Sequence, residues 1–340
     1  MKAISKISLL LLGVGMLSLN SCSKDDDNND SKNNKLQNKY ITVEDAVYYS
    51  GSMPKATVDE ELSNVEYSDL VMNGTMNYLT VNSDNEISRF FIGIEGVDGY
   101  LEYIPKAGRA NSEYTYTIPV MMSQEYSGNS VLLLSAQYSD GAVTLPGNFP
   151  LFQIDTREGD LEIKLSFSNE KDIDLHLITP SGTHVYFSNS RDGFYEGEFL
   201  GEFGVFEFGL DIDSNPSCTI DGVNKENIYI PTQFVENGIY TVLVDLYANC
   251  DSSIATDWSI SARYKGELIR PIEGTNPASG TFEIGASSSY NEYPVEVMQF
   301  RISGANNVRQ QIKSLKAKKI RSIFDLDLSE AALNKIKNAR

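Results

Sequence analysis

The chain has 340 residues and a formal net charge of −19, and residues 306–340 hold nine Lys and Arg against three Asp and Glu, so the acidity is concentrated upstream. Such a body repels nucleic acid and anionic membrane surfaces, and it suits divalent cations, neutral glycans or basic proteins. The length points to two domains, and an apolar content of 41% supplies their cores.

Lys2 and Lys6 precede an apolar run from Ile7 to Leu19, which is too short and asymmetric to span a bilayer and reads as an export signal over residues 1–21. It ends in LSLNSC. This resembles a bacterial lipobox, which implies acylation of Cys22, although Asn20 departs from the usual residue at its position. Two acyl chains on one residue make a stable anchor, because each buried methylene adds ~0.8 kcal/mol. Next comes SKDDDNNDSKNNK, too polar to bury apolar surface, so residues 22–39 are expected to form a disordered acidic tether. The run also resembles the acidic export signal of Bacteroidetes surface lipoproteins, with Lys24, Asp25, Asp26 and Asp27 at the recognised positions. That implies an outer-membrane lipoprotein facing the cell exterior.

From Tyr40 the pattern is all-β: short runs rich in Val, Ile, Tyr, Phe and Thr, broken by Gly, Asn, Asp or Pro. NYLTVN, SRFFIGIEG, GYLEYIP, YTYTIPVMM and SVLLLSAQY are strands of a first, Ig-like sandwich over residues 40–150. LPGNFP, residues 145–150, has the turn chemistry of a junction. In the second half LEIKLSF alternates, with Leu161, Ile163, Leu165 and Phe167 on one face and Glu162, Lys164 and Ser166 on the other. DWSISARY turns Trp258, Ile260, Ala262 and Tyr264 inward, and IYTVLVDLY, apolar on nearly both faces, reads as a central strand. These predict a second sandwich over residues 151–305, of the jelly-roll or accessory-module kind. The tail, residues 306–340, reads as basic amphipathic helix packing on its own acidic body.

With Cys22 given to lipid, Cys218 and Cys250 remain as a disulfide pair in an oxidising compartment. The bond would add ~3–4 kcal/mol on the chain-entropy model.

KDIDLHLI places Asp172, Asp174 and His176 on one face of a strand and Ile173, Leu175 and Leu177 on the other. FEFGLDID repeats the device, with Phe206, Phe208, Leu210 and Ile212 inward and Glu207, Asp211 and Asp213 opposite. If the two strands are neighbours, the carboxylates crowd one surface and need a cation or several donors. Hard oxygen ligands suit calcium, so Asp172, Asp174, Asp211, Asp213, Asn215 and Asp221 form a candidate calcium set. The stretch DIDSNPSCTIDG is not an EF-hand: Pro216 stands at its sixth position and Gly222 at its twelfth. It stays open between a cystine-braced corner, with its carboxylates in Asx-turns, and a cation loop.

DIDLHLITPSGTHVYFSN, LDIDSNPSCTIDGVNKENIYI, NGIYTVLVDLYANC and TDWSISARYKGELI together resemble the YfaP-like domain of exported bacterial proteins. Their order is also similar to bacterial pre-peptidase C-terminal domains. The resemblance covers about residues 155–270, and Asp172, Asp174 and Glu226 match its motif positions. It implies a small β-sandwich accessory module, of a kind some of whose members bind calcium and extracellular matrix or glycan. Gly-x-Ser-x-Gly and His-Glu-x-x-His do not occur, and His176 and His184, on one predicted hairpin, read as exposed and inert. GFYEGEFLGEFG, residues 193–204, offers aromatics for stacking on sugars. The expectation is a non-enzymatic, lipid-anchored surface protein that binds an extracellular glycan or protein. The alternatives are a carboxylate-dependent hydrolase and a scaffold subunit of an outer-membrane complex.

Overall fold

The computed structural model describes residues 34–105, 108–110, 113–187 and 208–305. The export signal, Cys22, the acidic run, Phe206, Glu207, residues 193–204 and the basic tail lie outside the described residues. Not all of the expected tether is irregular: Lys35–Lys39 forms a short helix, α1, that buries Leu36.

Among the described residues the first half contributes eleven strands. These are β1 (Ile41–Val43), β2 (Val47–Tyr49), β3 (Val65–Tyr67), β4 (Leu70–Val71), β5 (Met76–Ser83) and β6 (Ile87–Ile94). They continue with β7 (Tyr100–Tyr103), β8 (Gly108–Ala110), β9 (Glu113–Met122), β10 (Ser130–Tyr138) and β11 (Gly147–Gln153). One sheet runs β1-β9-β5-β3 with β8 on β9; the other runs β2-β7-β6-β10-β11-β4. Leu79, Val81, Ile118 and Val120 of the first sheet share a core with Phe90, Ile92, Leu132 and Leu134 of the second. LPGNFP is not a junction. Its last four residues lie in β11, where Pro150 opposes Val131 and Leu151 joins the core, so the chain leaves this pair of sheets only after Ile154. Pro150 fits because β11 meets its other neighbour, β4, only at Phe152 and Gln153.

The second half adds β12 (Leu161–Phe167), β13 (Asp172–Ile178), β14 (His184–Val185), β15 (Gly209–Ile212), β16 (Lys225–Ile230) and β17 (Gly238–Ala248). It ends with β18 (Thr256–Tyr264), β19 (Glu267–Leu268), β20 (Pro271–Gly274), β21 (Ala278–Phe282) and β22 (Val295–Ile302). The third sheet runs β15-β16-β12-β18-β19 with β21 on β18, and the fourth runs β14-β13-β17-β22-β20. β17 is central, as its doubly apolar run predicts. Leu161, Ile163, Leu165, Ile228 and Ile260 pack across the gap on Ile173, Leu175, Leu177, Val242 and Phe300. The fold is therefore all-β, with two sandwich cores.

The polar face of LEIKLSF does not meet water. Glu162, Lys164 and Ser166 are buried, because the outer face of the third sheet abuts the first sandwich. Lys164 Nζ donates to Asn73 Oδ1 at 2.7 Å and lies 3.2 Å from Glu162 Oε2. Lys225 Nζ donates to Asn77 Oδ1 at 3.3 Å, and Ser261 Oγ donates to the Gly74 carbonyl at 3.1 Å. Burial lowers the Lys164 ammonium below its ordinary range and brings Lys225 down to about 7. Gly74 sits in this seam at φ +69°, and a Cβ there would stand 2.2 Å from Gln124 Oε1.

Candidate cation-binding site

The alternation of β13 places Asp172, Asp174 and His176 on the outer face of the fourth sheet, yet all three are at most 1% exposed. The 214–218 turn and the 288–291 segment cover them: Ser217 N–H donates to Asp172 Oδ2 at 2.6 Å, and Ser289 N–H donates to the Leu246 carbonyl at 2.9 Å. Asp245 of β17 lies directly opposite Asp174 in the ladder, and the Ser289 hydroxyl donates to it. The Asn291 side-chain amide, with its nitrogen turned inward, donates to Asp245 Oδ2 at 2.8 Å and to Asp174 Oδ2 at 2.9 Å.

Glu226 arrives from the facing sheet. In KENIYI it is in phase with Ile228 and Ile230, on the core side of β16, opposite Leu165. On the side of β13 away from β17, the ladder with β14 reaches only Leu177 and Ile178. Glu226 closes that edge below it: Leu175 N–H donates to Glu226 Oε2 at 2.7 Å, and Ser214 N–H to Oε1 at 3.4 Å. Among the described residues, a carboxylate thus takes the backbone N–H that a neighbouring strand would take.

β13 and β15 are not neighbours. They belong to different sheets, so the expected crowding of two adjacent strands does not occur. Asp213 still reaches the cluster because it lies beyond the end of β15: one oxygen each of Asp172, Asp174 and Asp213 lie within 4.8 Å of one another. Asp211 is directed elsewhere, accepting Arg157 N–H at 2.5 Å and Asn227 Nδ2 at 2.8 Å. Asp221 accepts Asn215 N–H at 3.1 Å and Val223 N–H at 2.8 Å, closing the turn as an Asx acceptor. Asn215 donates through Nδ2 to the Lys171 carbonyl at 3.0 Å. Asp221 and Asn215 build the loop, and neither Asp211 nor Asp221 is among the carboxylates that lie within 4.8 Å of one another.

That loop is cystine-braced. Cys218 and Cys250 are bonded, S–S 2.06 Å and Cα–Cα 5.4 Å, tying the turn at Pro216–Cys218 to the connection after β17. Ser217, whose N–H holds Asp172, is the neighbour of Cys218, so the cross-link fixes the lid over the carboxylates. On the far side Lys171 Nζ donates to Asn249 Oδ1 at 2.5 Å and to the Asp251 carbonyl.

Electrostatics show how crowded the place is. Complete burial pushes the Glu226 carboxyl well above its ordinary range, and the charges of Asp174, Asp213 and Asp172 push it further. Burial also raises Asp245, against the hydrogen bond from Ser289. Carboxylates this close need a cation or several donors beside them. The histidines are not exposed strand residues as expected. His176 is fully buried, its Nδ1 lies 2.9 Å from His184 Nε2, and burial lowers His184 to about 4. One oxygen each of Asp174 and Asp245 and one His176 nitrogen also lie within 4.8 Å of one another. Tyr186 stacks on His184 at 4.1 Å between ring centres.

Asp245, Asn291, Ser289 and His176 were not in the expected set, and Glu226 entered only through the family resemblance. A lone carboxylate inside the apolar run VLVDLY could have marked Asp245, and the phase of Glu226 with two isoleucines could have marked it as a core residue. Nothing local marks Asn291.

No family model and no curated protein matches the chain. Among solved structures it is similar to fibronectin(III)-like modules of CbhA from Clostridium thermocellum, at 11% identity over 62% of this chain and 87% of that one, TM-score 0.17. It is also similar to a gamma-CGTase from Alkalophilic bacillus clarkii, at 8% identity over 65% of this chain, TM-score 0.16; the chain spans a quarter (25%) of that protein.

Proposed function

We propose that the chain is a non-enzymatic binding or adhesion module, carried at the outer face of the outer membrane on a lipid anchor at Cys22 and stabilised by calcium. The observation that carries the cation part is geometric: one oxygen each of Asp172, Asp174 and Asp213 lie within 4.8 Å of one another, and the buried Glu226 of the facing sheet accepts the N–H groups of Leu175 and Ser214, the neighbours of Asp174 and Asp213. Calcium takes six to eight oxygens, carbonyls included, and tolerates irregular geometry, which suits carboxylates contributed by two sheets and one loop. The cystine supports an oxidising compartment. The lipobox, the acidic run and the resemblance to exported accessory domains support the surface setting, and the extracellular ligand is a glycan or a protein.

Titration calorimetry of the full chain with calcium tests the cation. One equivalent should bind, and Asp213→Asn should weaken it while leaving the fold intact by circular dichroism. Binding that ignores Asp213, or no heat at all, removes calcium from the proposal. Retention of the protein on polysaccharide columns without turnover tests the binding role; turnover abolished by a single carboxylate substitution would make it a hydrolase.

A further inference from the structure

We propose that Asp174, His176 and Asp245 form a transition-metal site beside the oxygen cluster, sharing only Asp174 with it. A ligand atom from each lies within 4.8 Å of the other two, and all three side chains are at most 1% exposed. Their placement comes from the sheet. Asp174 and Asp245 are direct cross-strand partners, and His176 follows two residues along on the same face of β13. Donors mounted on paired strands hold their geometry better than donors on loops.

Donor chemistry separates this set from the calcium set. Asp172, Asp174 and Asp213 offer oxygen alone, which suits a hard cation. An imidazole nitrogen beside two carboxylates suits zinc, copper, cobalt or nickel. His184 Nε2, 2.9 Å from His176 Nδ1, is placed as the outer partner that fixes the tautomer and orientation of a ligating ring. Asn291 supplies a fourth group, its amide 2.8 Å from Asp245 Oδ2 and 2.9 Å from Asp174 Oδ2. Nitrogen inward, it bridges the two aspartates; oxygen inward, it becomes a further ligand, so one amide rotation serves both the metal-free and the metal-bound state.

The site draws on the same acidic cluster as the calcium reading but does not require calcium. The test uses the untagged full chain loaded with Cu(II) and examined by pulsed electron paramagnetic resonance. The chain contains only two histidines, His176 and His184, so coupling to a remote imidazole nitrogen assigns the copper to this place without any variant. The expected result is one equivalent of copper with that coupling, retained in Asp213→Asn. In His176→Gln the coupling should vanish and affinity should fall at least about tenfold. Copper bound without imidazole coupling, coupling that survives His176→Gln, or no binding by the wild type each overturns the inference. A calcium-dependent stability that persists beside a copper-silent protein overturns this inference alone. Imidazole-coupled copper in a protein indifferent to calcium overturns the calcium reading alone.

Discussion

Asp174 and Asp245 face each other directly across the ladder of β13 and β17, both buried, with Asn291 spanning the two carboxylates. Opposed like charges on paired strands are destabilising, so this pair raises the free energy of the metal-free fold. Asp174→Asn removes one charge from beside Glu226 and from opposite Asp245. In chelator the variant should match or exceed the wild type in thermal stability. In saturating calcium the order should reverse, because the variant has lost a ligand. Differential scanning calorimetry of both proteins in both buffers checks the reversal; the same order in both buffers contradicts it.

The cystine and the carboxylates are coupled through Ser217. Cys218→Ser with Cys250→Ser should lower unfolding stability by about 3–4 kcal/mol on the chain-entropy model, measured by urea titration. It should also weaken calcium binding, since the N–H that holds Asp172 then sits on an untethered turn. A stability loss with unchanged calcium affinity would separate the brace from the site.

Glu226 contributes to the pH dependence of stability in the absence of metal. Its folded-state pKa is raised, so above its unfolded value near 4.5 the folded protein holds a proton that the unfolded chain has released. Its contribution to stability is complete below that value and is lost as pH rises through the folded pKa. The slope of unfolding free energy against pH, measured in chelator from pH 4.5 upward, should therefore be less negative in Glu226→Gln than in the wild type.

Lys164 acts with the opposite sign at the seam between the sandwiches. Its folded pKa is depressed, so between that value and 10.5 the unfolded chain binds the extra proton. Stability from this group rises with pH across that window. Lys164→Met should flatten the slope measured up to pH 10.5, and should destabilise the fold at pH 7, because it leaves the buried Glu162 carboxylate without the ammonium 3.2 Å away.

Gly74 tests the seam sterically. Gly74→Ala places a methyl group 2.2 Å from Gln124 Oε1 in a left-handed backbone conformation. A cost of about 1–2 kcal/mol in chemical unfolding is expected, with the wild-type value recovered in part by adding Gln124→Ala.

Most of the fold was legible because it is written locally. LEIKLSF, DWSISARY and IYTVLVDLY carry their period and polarity on their own residues, and each becomes the strand it describes. What misled was context. Lys164 alternates like a solvent-facing residue, and only the arrival of the first sandwich makes it buried. LPGNFP has turn chemistry, but β11 makes so little contact with β4 that Pro150 is tolerated within a strand. The candidate site was half legible for the same reason. Asp172 and Asp174 share a strand face whatever the topology, whereas Asp211 depends on which strand β15 joins; it joins β16, which turns Asp211 to Arg157 and Asn227. Glu226, Asp245 and Asn291 meet Asp174 from three separate segments, a convergence that periodicity within one strand does not encode.

Thermal unfolding of the full chain at pH 7, with saturating calcium against chelator, tests the central claim most directly. Calcium at a hundredfold excess over its dissociation constant should add about 2.7 kcal/mol and raise the melting temperature by several degrees. A melting temperature that does not move would mean that the carboxylates around Asp174 are held by protons and neighbouring donors, with no calcium among them.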